Sequence, residues 1–293
     1  MPKFLFLFIL SFSFAQTVSD YAYTHAEASA MAGAVVAEAG SNWSIFHNPA
    51  GITEIEGTHL SAGNGKLYGF NWLPAYNLSG TTPLPVIGKI GFAFQQLETK
   101  YNSATLSKEQ TLSIAQGFEL QRDKNSHLSI GYTANFVQWD LGRSAGVSGD
   151  GTDGLELGGV NAVTVDFGVL ASLREKYRFG VILKNINSGA LGKGMTRQVL
   201  PRRINTGITY MPMTGLATSI VSEHLLGRDD LQIKGAIRYN LNSYMEIYSG
   251  AQSNPNRFGM GVTFTLNQQS VSYGLLTHPV LPMTHQFNLG LSL

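Results

Sequence analysis

The sequence contains no cysteine, few charged residues and, after residue 15, no apolar run long enough to cross a membrane as a helix. Without cysteine, disulfides cannot staple the chain, so its stability has to come from backbone pairing and burial. Charged residues make up 13% of the chain, against roughly 25% in soluble domains. This deficit indicates that much of the surface does not face water. The formal net charge of +1 gives no reason to expect a nucleic acid as partner.

The first fifteen residues form the one strongly apolar stretch. Lys3 precedes a run of Phe, Leu, Ile and Ser, and small residues follow at Ser13 and Ala15. This order is typical of a secretory signal peptide, here with cleavage predicted after Ala15. A membrane anchor is the weaker interpretation, because a spanning helix needs about twenty apolar residues. We therefore assign residues 1–15 to a signal peptide and predict export.

Residues 16–56 differ in composition from the rest of the chain. Residues 26–40 are nearly all Ala, Gly, Met and Val, and a turn signature follows at Asn48, Pro49, Ala50 and Gly51. One interpretation is a helix and a turn that lead into a sheet. The other is a short helical plug inside a barrel mouth. Composition leaves both open, and we take residues 16–56 as an N-terminal plug segment.

Residues 57–293 are a succession of short segments in which apolar and polar residues alternate. In residues 257–267, for example, Phe258, Met260, Val262, Phe264 and Leu266 fall on one face. Segments of ten to eleven residues with this period are typical of strands that cross an outer membrane at a tilt. Fourteen such segments are predicted at 57–63, 66–78, 86–96, 108–120, 126–141, 160–173, 176–187, 202–211, 214–224, 230–241, 244–252, 256–267, 269–278 and 283–293.

The predicted fold class is all-β, a transmembrane antiparallel up-and-down β-barrel of about 14 strands. Connections after odd-numbered strands are mainly the longer ones, as expected when both chain ends lie in the periplasm. They include residues 99–107, 142–159 and 188–201. A soluble β-sandwich also alternates, but its outer face must be polar and its apolar residues would have to fill one small core.

The last segment is predicted to close the barrel on the first strand and to present an apolar face to lipid. We expect the barrel-insertion machinery to recognise this strand. Its apolar face consists of Phe287, Leu289, Leu291 and Leu293.

Charged residues fall on the predicted inward faces of the strands, where a polar lumen tolerates them. We expect them to pair with one another or with the plug rather than to select ions. They are Glu119, Asp166, Lys184, Glu223, Lys234, Arg238, Glu246 and Arg257.

No pattern in the sequence predicts a catalytic residue, a metal site or a cofactor. The seven histidines show no ligand spacing, although His278 and His285 are expected to approach each other across the last outer loop. Asp150, Asp153 and Glu156 lie in a glycine-rich loop without the spacing of a calcium-binding loop. A hydrolase at the barrel rim is the minority hypothesis, since the sequence contains no G-x-S-x-G motif.

Several short motifs resemble a known superfamily. The small-residue stretch 30–34 followed by the turn 48–51 resembles the start of FadL-like outer-membrane barrels. Five further segments resemble the PorV/PorQ branch of that superfamily. They are residues 178–181 (RFGV), 184–187 (KNIN), 200–203 (LPRR), 210–212 (YMP) and 277–287. The resemblance extends from about residue 28 to the end of the chain.

The resemblance implies a fourteen-stranded barrel with an N-terminal segment in or under the lumen, in the outer membrane of a Gram-negative cell. For the PorV/PorQ branch it implies a non-enzymatic binding or scaffolding role in type IX protein secretion, which is our leading expectation. The alternative is a FadL-like channel for hydrophobic molecules such as long-chain fatty acids. Expected partners are outer-membrane lipid, the insertion machinery, and either secreted protein cargo or a hydrophobic small molecule.

Overall fold

The computed structural model describes residues 25–85, 87–101, 104–144, 146–149, 152–192, 197–227 and 231–293. Fourteen antiparallel strands form a closed barrel, which confirms the predicted fold class and strand count. The predicted signal peptide lies outside the described residues. The barrel strands are β1 (His59–Lys66), β2 (Pro74–Leu84), β3 (Gly88–Tyr101), β4 (Ala104–Arg122), β5 (Ser126–Asp140), β6 (Gly159–Leu173), β7 (Tyr177–Lys184), β10 (Arg203–Met213), β11 (Leu216–Leu225), β12 (Leu231–Asn242), β13 (Met245–Gln252), β14 (Arg257–Leu266), β15 (Gln269–Leu276) and β16 (Thr284–Ser292).

The barrel closes between its first and last strands. His59 of β1 lies opposite Ser292 of β16, and the pairing continues to Lys66 opposite His285. Beyond the strands, the Leu293 amide donates to the Thr58 carbonyl oxygen at 2.8 Å. Closure gives each barrel strand two hydrogen-bonded neighbours, so the sheet has no edge that could pair with another chain.

Connections at the two ends of the barrel differ in length. At one end the turns are short, as at residues 174–176, 214–215, 243–244 and 267–268. At the other end the connections include residues 141–158, 185–202 and 277–283. Outer-membrane barrels have short periplasmic turns and longer outer loops. We therefore name the two ends the periplasmic end and the outer end.

The longest described outer connections are residues 141–158 and 185–202. The second contains a short strand pair, β8 (Ala190–Leu191) and β9 (Gln198–Val199). Leu191 and Leu200 are buried against Val137 and Ala162 on the inner wall of β5 and β6. The described part of this connection therefore folds into the barrel mouth.

The predicted boundaries are wrong in the first two strands. The first strand was expected to end at residue 63 and the second to begin at 66, but β1 continues to Lys66 and a 3₁₀ turn follows at Leu67–Gly69. The second strand begins only at Pro74. A proline donates no hydrogen bond, so it is best placed at the first position of a strand. The alternation of apolar and polar residues continues through this turn, so the sequence pattern assigned the turn to the second strand.

Residues 99–107 were predicted to be an outer loop, and this is also wrong. The ladder between β3 and β4 continues through Thr99 opposite Ser107 to Tyr101 opposite Ala104, with one bulge. β4 has 19 residues, which at about 3.4 Å per residue gives roughly 65 Å, longer than a bilayer core is thick. The polar composition that suggested a loop reflects a hairpin extending beyond the membrane into water.

The outer wall of the barrel is apolar along its strands. On β14, Phe258 is 62% exposed, Met260 61% and Leu266 66%. The face predicted for the last strand also points outward, with Phe287 and Leu289 more than half exposed and Leu291 and Leu293 exposed beside them. So much contiguous apolar surface is not stable in water, and it fits contact with lipid tails.

The N-terminal segment is helical in short pieces. Helix α1 (Ala26–Ala30) is capped by His25, whose Nδ1 accepts from the Ala28 amide. It ends before Ala32 and Gly33, which both have positive φ. Helix α2 (Ser44–His47) and a 3₁₀ turn (Pro49–Glu54) follow. Among the described residues, none of these helices has the length and apolar character needed to cross a membrane.

Candidate functional site

Residues 25–56, here called the plug, fill the middle of the barrel lumen. Helix α1 contacts the inner faces of β13 to β16, and the 3₁₀ turn contacts β3 to β6. Between them, Val36 lies against Gly180 of β7 and Gly207 of β10. The plug therefore touches the wall on opposite sides, and both sides hold it in place.

Inward-facing glycines let the plug backbone approach the wall closely. A Cβ atom added at Gly131 would lie 2.5 Å from the carbonyl carbon of Pro49. Added at Gly274 or Gly250, it would collide with the backbone of Ala26 or Met31. Sequence reasoning used the number of glycines as a compositional hint but missed this role. Their recurrence on inward positions of successive strands was the available signal.

Asn48 fixes the turn predicted from the sequence. Its Nδ2 donates to the Val36 carbonyl oxygen at 2.8 Å and to that of Val169 in β6 at 3.0 Å. Its Oδ1 accepts from the Ala50 amide. A side chain at Gly51 would crowd the plug, because its Cβ would lie 3.0 Å from the Ser44 hydroxyl oxygen. The four predicted turn residues thus lie in the lumen, with Asn48 joining plug to wall.

Three plug carboxylates bind the wall, and sequence reasoning missed all of them. Glu54 lies 2.6 Å from the Arg178 guanidinium and 3.5 Å from the His127 ring. Glu38 lies 3.2 Å from Arg238. Glu27 accepts from the Ser272 hydroxyl at 2.6 Å. Because these pairs are far apart in sequence, no local pattern could identify them.

The eight charges predicted to face the lumen all point inward. Glu119 contacts Arg122 and His127 at the periplasmic end, and Asp166 accepts from the Asn185 amide. Arg238 lies between Glu38 and Glu246. The remaining members are distributed along the inner wall: Lys184, Glu223, Lys234 and Arg257.

Above the plug, toward the outer end, lies a cavity of about 180 Å³. Its wall carries Glu223, which bridges Arg203 at 2.7 Å and Lys234 at 2.8 Å. Asp166 and Lys184 also line it. Three cationic and two anionic groups face this space, which we call the outer cavity. The floor is plug, including Val36 and Phe46.

Below the plug, toward the periplasmic end, lies a second cavity of about 270 Å³. Glu27, Glu38 and Glu246 line it together with Arg238, so anionic groups predominate. The ring of His25 stacks on that of Trp43 with centroids 5.3 Å apart. We call this space the inner cavity. Because the two cavities lie on opposite sides of the plug, the plug separates them along the barrel axis.

The groups considered for metal binding or catalysis have other partners. His278 stacks edge-on against Tyr68, whereas His285 contacts the Tyr273 hydroxyl. Each histidine is thus engaged separately. In the described part of the outer loop, Asp153 accepts from the Ser148 amide and hydroxyl. No cluster of three potential metal ligands occurs among the described residues.

The closed wall, its apolar exterior and its plugged polar lumen define a fourteen-stranded membrane-type β-barrel. Solved structures with this fold include the CymD monoaromatic hydrocarbon channel, at 12% identity and a TM-score of 0.64, covering 94% of this chain and 99% of that one. The toluene transporter TbuX of Ralstonia pickettii gives 12% identity and a TM-score of 0.60, covering 91% and 96%. A FadL homologue of Pseudomonas aeruginosa has 10% identity and a TM-score of 0.54, and the match covers 91% of this chain and 97% of that one.

At these identities the likeness shows the fold alone, which is that of FadL-like barrels. No family model matches the sequence, and a search of curated proteins finds no match.

Proposed function

We propose that this protein is a non-enzymatic channel in the outer membrane that admits small hydrophobic molecules. The observation that carries the proposal is the pair of cavities on the two sides of the plug. Their lining combines apolar side chains, such as Val35, Phe46 and Trp43, with polar and charged ones. Ligand sites are typically concave, with apolar walls and a few polar groups that orient the ligand.

The fold comparison supports the same function. The monoaromatic hydrocarbon channel CymD and the toluene transporter TbuX share the barrel architecture over nearly their whole lengths. The sequence-based alternative, a FadL-like channel, is therefore better supported than the scaffold that was the leading expectation. Export by cleavage of residues 1–15 and the boundary of the plug segment at residue 56 remain parts of this proposal.

The test is uptake by whole cells of a Gram-negative host with an intact lipopolysaccharide layer, because that layer slows hydrophobic molecules. Initial uptake of radiolabelled toluene and of a long-chain fatty acid is compared with and without the protein. We expect faster uptake of at least one probe. Deleting residues 17–56 should change that rate. Equal rates for both probes in expressing and non-expressing cells would contradict the channel.

A scaffold role of the PorV/PorQ type is the second candidate, and one observation favours it. Val147, Leu155 and Leu157 in the outer loop 141–158 are exposed apolar side chains, a feature of protein-binding surfaces. The substitutions Val147→Ser and Leu155→Ser should then reduce the amount of a secreted protein at the cell surface without changing toluene uptake. Unchanged surface protein in a cell that expresses the matching secretion system would dispose of this role.

A further inference from the structure

The two cavities meet at one place in the plug. Within the described residues, Val35 and His47 are the two that line both the outer and the inner cavity. Each other lining residue belongs to one cavity. Val35 is buried, with 6% of its surface exposed. The two spaces therefore adjoin at these two residues.

His47 is held in place by its surroundings. Its ring meets that of His25 edge-on, with centroids 4.8 Å apart, and His25 is stacked on Trp43. His25 in turn contacts Glu27 at 2.7 Å. On its C-terminal side His47 adjoins Asn48, whose side chain is fixed to the wall. The His47 ring is thus packed beside aromatic and hydrogen-bonded neighbours.

The connection is uncharged although both cavities carry charges. Arg203, Lys184 and Lys234 line the space above, and the carboxylates of Glu27 and Glu38 line the space below. Burial and the nearby His25, Lys184 and Lys234 lower the pKa of His47 well below its ordinary value. The imidazole is neutral at pH 7 as a result. An ion that passes this point loses its charged partners, whereas a neutral molecule loses little.

We infer that Val35 and His47 form the constriction of the transport path, through which small neutral aromatic or aliphatic molecules pass lengthwise from the outer to the inner cavity. This inference rests on the proposed channel function for its uptake readout. Passage of a molecule requires the His47 side chain to move away from the His25 ring, against which it packs in this structure.

The test changes the size of the constriction in both directions. His47→Ala and Val35→Ala should increase the initial uptake of radiolabelled toluene several-fold, and His47→Trp should decrease it. Ionic conductance across a planar bilayer in potassium chloride should rise with the two alanine variants. This second readout does not depend on a hydrophobic substrate.

Matched controls are available on the outer wall. His224 and Val163 face outward, so His224→Ala, His224→Trp and Val163→Ala should leave uptake and conductance unchanged. Heat-modifiable gel mobility of every variant reports whether the barrel has folded. A variant that does not fold is replaced by the cysteine version described next.

Because the chain has no cysteine, a single thiol can be placed at the constriction. In His47→Cys, a bulky methanethiosulfonate reagent should react from the cell exterior and then block toluene uptake. Reaction at His224→Cys should not block it. Failure of His47→Cys to react, or reaction without loss of uptake, overturns the constriction.

The outcomes separate the two proposals. If the protein speeds toluene uptake but changes at Val35 and His47 have no effect, the constriction is refuted and the channel function remains. If the protein does not speed uptake and the alanine variants still raise conductance, the constriction is supported and the proposed substrate class fails. If neither readout responds, both are overturned.

Discussion

At the scale of single residues, Glu223 is the charged group whose removal should lower the stability of the fold the most. It is 5% exposed and binds both Arg203 and Lys234, and Lys234 is itself 2% exposed. Breaking a buried ion pair leaves an uncompensated charge, which is far more costly than losing an exposed pair. The cluster therefore depends on the single carboxylate that connects its two cations.

We predict that Glu223→Gln lowers the free energy of unfolding by roughly 3 kcal/mol, as expected for a broken buried pair. Urea unfolding in lipid vesicles, followed by tryptophan fluorescence, measures it. The matched control is Glu156→Gln, which removes the exposed pair with Arg143 and should cost at most about 1 kcal/mol. Equal effects of the two substitutions would contradict a buried cluster.

His278, in the outer loop after β15, is expected to respond to pH. Its Nδ1 accepts from the amides of Val280 and Leu281, which requires an unprotonated nitrogen. Burial and the nearby Arg257 lower its pKa below the ordinary value. With a depressed pKa, its contribution to stability is present above the unfolded-state pKa and is lost as pH falls through the folded one.

The prediction is that the loop at residues 277–283 loosens on acidification, in the pH range below the ordinary histidine pKa. Histidine resonances in an NMR pH titration give the pKa, and amide exchange at Val280 and Leu281 reports the loop. His278→Phe should remove the pH dependence of that exchange. A titration midpoint above the ordinary value would show that the assigned hydrogen bonds are wrong.

At the scale of elements, the fit between plug and wall depends on missing side chains. Gly131→Ala should push Pro49 away from β5, because the added carbon would lie 2.5 Å from that residue's backbone. We expect a destabilised plug, seen as protease cleavage within residues 25–56 and as higher ionic conductance. Gly235→Ala is the control, since its nearest heavy atom beyond its neighbours lies 3.9 Å away. If both variants retain a protected plug, close packing at Gly131 is refuted.

The outward face of β16 gives a second prediction at this scale. Leu289 is 61% exposed, near the middle of its strand. An arginine on the lipid face near the bilayer centre costs about 2–4 kcal/mol, so Leu289→Arg should reduce folding stability in vesicles by that order. Leu289→Met keeps the apolar contact and should have little effect. If Leu289→Arg left the folding stability unchanged, this face would not contact lipid.

At the scale of the whole molecule, the continuous ladder from β1 around to β16 makes the barrel one cooperative unit. Such a closed sheet cannot be opened from an edge. We predict that the unheated protein stays folded in SDS and migrates differently from the boiled protein, and that it fractionates with outer membranes. Recovery as a detergent-independent soluble protein would contradict the membrane location.

Much of the architecture could be predicted because alternation is local. The outward Phe258, Met260 and Leu266 follow from a strand's period of two, as does the inward direction of Glu223 and Lys234. Strands after β5 begin and end within a few residues of their predicted positions. The exceptions occur where local composition misleads, as at Pro74 and in the polar hairpin around residues 99–107.

The sequence by itself thus determined a fourteen-stranded barrel and which residues face lipid, because both depend on residue order along single strands. Only the tertiary structure decided which plug groups meet which wall groups. Glu54 pairs with Arg178, and Val35 and His47 come to lie between two cavities, because closing the barrel brings distant segments together around one lumen. The order of residues along the chain does not specify distances across that lumen, and the proposed transport path depends on such distances.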